Sequence, residues 1–174
     1  LDVWEVDHAA HTLVAYVTPE QLRDLRARGY APQPVEDLAA ASIPNFACYR
    51  TVDETYADLG QLAADHPTLA QWIDIGDSWL KTSTGGAQGN DLYTLVLTNG
   101  AIPGPKPRLF VMAAIHAREL TTAEVAARFA ELLVSRYGSD PQATWLLDYN
   151  EVHILAQTNP DGRQRAEAAA ANPV

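Results

Sequence analysis

The residues of this chain best suited to chemistry stand together in Ile115-His116-Ala117-Arg118-Glu119. They close the apolar run Leu109-Phe110-Val111-Met112-Ala113-Ala114-Ile115. An imidazole nitrogen and a carboxylate oxygen are ordinary zinc ligands at about 2.0–2.2 Å, and a catalytic zinc usually takes three protein ligands plus water. His116 and Glu119 supply two such donors, three residues apart. Arg118 lies between them, where a substrate-anchoring group would sit. A bland alternative exists for each: a solvated histidine, and a glutamate placed to favour the positive N-terminal end of the following helix. Asn159-Pro160-Asp161-Gly162 ends a second strand-like run; its amide or carboxylate could brace a ligand histidine, or the tetrapeptide could be a plain turn.

The remaining candidates carry less. His8 and His11 fall in a turn and read as solvated, and His66 precedes Pro67 at a helix end, where it suits the dipole. His153 alternates with Val152 and Ile154 inside a strand, away from its carboxyl end. Asp148 and Glu151, near Trp145 and Tyr149, read as surface acids. The Gly-rich stretch Lys81–Asp91 lacks the lysine-terminated phosphate-loop pattern and reads as a hairpin connection. No Ser-His-Asp or Cys-His signature is present.

The elements that must position the pair follow from capping and periodicity. Thr51 and Glu54 form a capping box for a helix that stops before Pro67, with Tyr56, Leu59 and Leu62 on one face. Strands are expected over Trp72–Asp77, Leu92–Thr98, Arg108–Ile115 and Glu151–Thr158. Arg108–Ile115 is apolar enough to be buried on both faces of a sheet. Thr121 and Glu124 suggest a second box, opening a helix with Val125, Phe129, Leu132 and Leu133 inward and Gly138 at its end. Asp140-Pro141 opens a short helix. From about residue 49 onward this alternation predicts an α/β domain with a mixed, mostly parallel sheet flanked by helices. His116 and Glu119 then stand at the carboxyl end of a strand, where open α/β sheets bind ligands.

Ahead of it, residues 1–37 read as a small β-β-α-β unit. Val3–Val6 and Thr12–Val17 form a hairpin, and a helix follows with Thr18 as N-cap, Pro19 at N1, Gln21 closing a box and Gly29 at its end. Tyr30–Val35 is a candidate edge strand containing Pro32 and Pro34. Residues 38–48 read as a linker.

Composition limits the classes of function. Twelve basic against 22 acidic residues give a net charge of −10, which offers no phosphate-binding face and argues against a nucleic-acid partner. No run approaches the roughly 18 apolar residues of a membrane span, so no membrane partner is expected. Cys48 is the single cysteine, which excludes an intrachain disulfide and a thiolate cluster. The chain opens on Leu1 without a signal-peptide pattern, so its start reads as processed or truncated.

Taken together, His116-Ala117-Arg118-Glu119 after an apolar strand, Asn159-Pro160-Asp161-Gly162 some forty residues later, Tyr49-Arg50-Thr51, His66-Pro67 and Ile75-Gly76-Asp77-Ser78 resemble the zinc metallocarboxypeptidases. Leu120 departs from the aromatic residue often found there. The resemblance implies that His116 and Glu119 are the first two ligands of one Zn2+ and that Arg118 lines the substrate groove. It also implies removal of C-terminal residues from peptides, peptide or protein C-termini as partners, and secretion. Residues 1–35 are similar in pattern to the end of an activation prosegment. The family's third ligand, general-base glutamate, carboxylate-holding Asn-Arg pair and tyrosine have no candidates here, and the pattern around Arg163 and Arg165 does not match its carbonyl-polarising arginine. The resemblance thus implies a C-terminally truncated catalytic domain, residues 49–174, inactive alone and weak in zinc binding. A carboxypeptidase-like binding or regulatory module and a related zinc deacylase are the competing expectations.

Overall fold

The computed structural model describes residues 2–7, 11–33, 43, 46 and 48–171; His8, nearly all of the expected linker and residues 172–174 fall outside them. The chain divides into two compact units, Leu1–Ala40 and Ala41–Val174.

In the first unit, β1 (Asp2–Asp7) and β2 (Thr12–Tyr16) pair antiparallel, with a register shift between Val3 and Glu5. Helix α1 (Pro19–Ala27) starts as its sequence dictates. Thr18 accepts from the Gln21 backbone N–H and Gln21 reaches back to the Thr18 amide, with proline in the first turn. Its end is a Schellman motif: Gly29 takes a φ of +88°, the Gly29 N–H donates to the Arg26 carbonyl, and the Tyr30 N–H donates to the Leu25 carbonyl. The expected strand Tyr30–Val35 is not found over residues 30–33, and residues 34–35 lie outside the described residues. Pro32 has no N–H to give to a ladder, which removes a pairing position from so short a segment.

The second unit begins with α2 (Val52–Asp65), whose Thr51–Glu54 capping box is complete and whose C-cap is His66. It continues through β3 (Ala70–Asp77), α3 (Trp79–Ser83), β4 (Asp91–Leu97), β5 (Arg108–Met112), α4 (Leu120–Arg136), α5 (Pro141–Tyr149), β6 (Glu151–Leu155) and α6 (Pro160–Ala171). The strands form one sheet in the order β3-β4-β6-β5. It is mixed, as expected, but the balance differs from expectation: β3–β4 and β4–β6 are antiparallel and only β5–β6 is parallel. The connection between β3 and β4 is short and returns the chain antiparallel. Only β5 to β6 has the long helical crossover that parallel pairing needs.

Alternation places Leu95, Leu97, Val152 and Ile154 on one face, where they meet Leu59 and Ala63 of α2, Leu147 of α5 and the alanine-rich side of α4. Here the expected inward face of α4 is corrected. Val125 and Leu132 are exposed, and the buried stripe is Ala123, Ala126, Ala127, Ala130, Leu133 and Val134. Small side chains let the helix axis approach the sheet closely, so the alanines win the inward position over the larger residues beside them.

Strand β5 is also shorter and more open than its apolar sequence suggests. It ends at Met112, and Leu109, Phe110 and Met112 are about half exposed. The cause is its place in the sheet. Among the described strands β5 is an edge with β6 as its single neighbour, so neither face is fully covered.

Candidate functional site

The loop from Ala113 to Glu119 joins β5 to α4. Ala113 keeps the strand pairing by donating to the Leu155 carbonyl, and Ala114 then turns the chain with a φ of +53°. A non-glycine residue in this left-handed region costs about 1–3 kcal/mol and persists only where its surroundings hold it. Ala114 is buried, its N–H donates to Thr122 Oγ1 at 3.0 Å, and its carbonyl accepts from the Asn159 N–H at 3.2 Å. The sharp turn throws Ile115 and His116 outward from the end of the strand.

His116 and Glu119 come together. The Glu119 N–H donates to the His116 carbonyl at 3.1 Å, closing a turn that sets both side chains on one side. His116 Nδ1 lies 2.9 Å from Glu119 Oε1, and the side chains are 76% and 55% exposed. Two ligands at about 2.1 Å on a tetrahedral metal stand roughly 3.4 Å apart, so the pair needs to open by only about half an ångström to take zinc between them. The chemistry and spacing of these two donors therefore fit the metal. Among the described residues no third histidine, cysteine or carboxylate joins them. Arg118 is exposed beside the pair, with no hydrogen bond or ion pair among the described residues.

The second motif does more than turn the chain. Asn159 Oδ1 accepts from the Gly162 N–H and the Asn159 carbonyl from the Arg163 N–H, so the tetrapeptide opens helix α6. Asparagine followed by proline at the first helical position is a standard helix-start signal. Asn159 Nδ2 also donates to the Ile115 carbonyl at 3.4 Å, bracing the backbone beside His116 rather than its ring. A Cβ on Gly162 would meet the Asn159 amide at 2.6–2.9 Å, so glycine lets that side chain fold over the helix start. Asp161 accepts from the Leu80 N–H and from Asn90 Nδ2, tying α6 to the segment after β3. Burial pushes the Asp161 carboxyl up, but donors from Asn90, Ser78 and Leu80 outweigh it and hold the group below the usual carboxylate range.

The long-range bonds that hold α4 and α6 were not visible in the sequence. The expected Thr121–Glu124 box does not form: α4 begins at Leu120, with Glu119 as an N-cap that makes no side-chain capping bond. Glu124 is instead 7% exposed and accepts a two-pronged bond from Arg50, Nη2 to Oε1 at 2.9 Å and Nε to Oε2 at 3.1 Å. Arg50 also pairs with Asp58 and Glu131. Burial pulls the Arg50 pKa down, but bonds to Glu124 and Glu131 outweigh it and hold the guanidinium above its ordinary value. Fully buried Arg163 donates Nε to Glu167 and Nη2 to the Arg50 carbonyl, and Glu167 accepts from the Val52 N–H. These bonds span up to 115 residues of sequence, a range over which no local pattern signals a partner. His153 contributes nothing to the site: it bonds Glu151, which also takes Arg108.

Known proteins resemble this chain over the same region. It is 36% identical to carboxypeptidase A2 of Mus musculus over 118 residues, 68% of this chain and 26% of that protein. Against carboxypeptidase A1 of Bos taurus the identity is 33% over the same shares, and against a zinc carboxypeptidase of Saccharothrix mutabilis subsp. capreolus 32% over 66% and 25%. The chain thus spans about a quarter of the length of the curated relatives it matches. Among solved structures, thrombin-activatable fibrinolysis inhibitor shares the fold with a TM-score of 0.62 at 20% identity, covering 89% of this chain and 40% of that one. Carboxypeptidase A from Helicoverpa armigera does so with 0.57 at 19%, covering 88% and 35%. The zinc carboxypeptidase family model matches residues 55–171, taking in both the His116–Glu119 loop and the Asn159–Gly162 turn, and the chain belongs to that family.

Proposed function

We propose that His116 and Glu119 are two of the protein ligands of a catalytic zinc in a carboxypeptidase that removes C-terminal residues from peptides. The observation that carries this reading is the 2.9 Å approach of His116 Nδ1 to Glu119 Oε1 at the carboxyl end of β5, in a chain of this family. When bound there, zinc supplies Lewis acidity toward a carbonyl and lowers the pKa of a water. His116 presents a ring nitrogen and Glu119 a carboxylate oxygen, both largely exposed and open to a substrate. Arg118, exposed and uncommitted beside them, offers a fixed positive charge and a planar fork of donors to a carbonyl or carboxylate of the peptide.

Two ligands hold zinc weakly and leave the reaction without its remaining groups, so the 174 residues alone are expected to lack turnover. The third ligand and the general base belong, in this reading, to sequence outside them. Residues 1–37 are read as the end of an activation prosegment. Secretion is part of the same proposal.

The test is zinc titration of the 174-residue chain and of its His116→Ala and Glu119→Gln variants. Each substitution is expected to weaken binding by more than the roughly 10–100-fold that an outer-sphere partner costs. Equal zinc binding in all three chains would sink the assignment. Turnover of a C-terminal peptide by the 174 residues would refute the claim of inactivity alone.

A further inference from the structure

We infer that Thr122 is a positioning residue for the His116–Glu119 pair, acting as the clasp that closes the loop carrying both side chains. This rests on the zinc reading of that pair. The hydroxyl of Thr122 uses both its capacities on the two ends of this loop. It accepts from the Ala114 N–H at 3.0 Å, where the chain leaves β5, and it donates to the Glu119 carbonyl at 2.9 Å, where the chain enters α4. One side chain in the first turn of a helix thus fixes the backbone before His116 and the backbone of Glu119 itself.

The geometry makes this a specific task. Ala114 holds a φ of +53°, and its buried N–H needs an acceptor in that strained turn. On the other side of the same residue, the Ala114 carbonyl accepts from Asn159, so the left-handed turn is gripped at both ends. Asn159 stands just before α6 and would hold its grip with any residue at 122. The link from β5 to α4 depends on the hydroxyl. Thr122 is itself exposed, so removing the hydroxyl disturbs little core packing. Valine keeps its shape without the donor and acceptor, and serine keeps the chemistry with less shape.

The experiment follows the 174-residue chain and its Thr122→Val and Thr122→Ser variants by NMR. Amide exchange of Ala114 reports the clasp, and titration with Co2+, read as paramagnetic broadening at His116 and Glu119, reports the pair. Thr122→Val is expected to speed Ala114 exchange about tenfold, the weight of one hydrogen bond. It should also weaken Co2+ binding by about 10–100-fold, as loss of an outer-sphere support does. Thr122→Ser should restore both, while exchange at Leu95 and Ile154 in the core stays unchanged in every chain. Ala114 exchange and Co2+ affinity within about twofold of the parent in Thr122→Val would overturn the inference, as would core exchange accelerated along with Ala114. Should the parent chain show no Co2+ response at His116 and Glu119, the zinc reading falls, and Ala114 exchange with the backbone shifts of residues 115–119 decides whether Thr122 holds the loop.

Discussion

Replacing Arg50 by methionine should destabilise the second unit by about 2–4 kcal/mol, and the figure comes from what stays behind. Breaking a buried ion pair by removing one partner costs about 3–5 kcal/mol, because the other charge remains in a poor solvent. Glu124 is that remaining charge, 7% exposed. Two donors soften its position: Arg128 Nε stays at 2.8 Å and the backbone N–H of residue 50 at 3.2 Å. Asp58 and Glu131 are far more exposed, and losing their pairs adds about 0–1 kcal/mol each at most. Urea unfolding followed by fluorescence checks the sum. With a slope of about 2 kcal/mol/M, the midpoint should fall by about 1–2 M. The double variant Arg50→Met, Glu124→Met is the stricter measurement. Replacing both partners with apolar groups removes the stranded charge, so it should be more stable than Arg50→Met alone. A single-variant loss below about 1 kcal/mol, or a double variant as weak as the sum of its parts, would refute the claim that buried pairing between α4 and the start of α2 matters.

Two further outcomes follow from the segment between β3 and β4 and its tether. Gly89 has a φ of +94°, and a Cβ there would lie 2.3 Å from the Lys81 backbone nitrogen, so Gly89→Ala should cost about 2–4 kcal/mol in urea. Gly85→Ala, with a φ of +62° and open space around it, should cost about 1 kcal/mol; equal losses would discredit the steric argument. Asp161 has a folded pKa depressed below its unfolded value, so its contribution is present above the unfolded pKa of about 3.9 and lost as pH falls through the folded value. Asp161→Asn should therefore cost about 1–2 kcal/mol at pH 7 and progressively less below pH ~4. A cost independent of pH would show that charge plays no part in the tether.

Local signals in the chain hold where the physics that sets them is local. The Thr18–Gln21 and Thr51–Glu54 boxes, the Gly29 terminus and the Asp140-Pro141 start all depend on atoms within a few residues, and all form. The failures share a cause too. Thr121 and Glu124 have the spacing of a box, yet Glu124 is claimed by Arg50, 74 residues away, because a buried guanidinium outbids a helix-end amide for a carboxylate. Val125 and Leu132 look inward by hydrophobicity but lose the core to alanines that allow closer packing. The run over residues 109–115 is apolar throughout, and composition does not say that β5 lies at an edge among the described strands.

By itself, then, the sequence determined which residues are equipped for zinc chemistry and that a strand end and a helix start bracket them. His116 and Glu119 are donors whatever the fold. Only the tertiary structure decided that the two side chains meet at 2.9 Å and that Arg118 stands uncommitted beside them. It also revealed that Ala114, Thr122 and Asn159 form the frame that aims them. The physical reason is range: ligand chemistry resides in single side chains, whereas aiming two of them requires hydrogen bonds between the loop after β5, the first turn of α4 and the residue before α6 that exist only after the chain has packed.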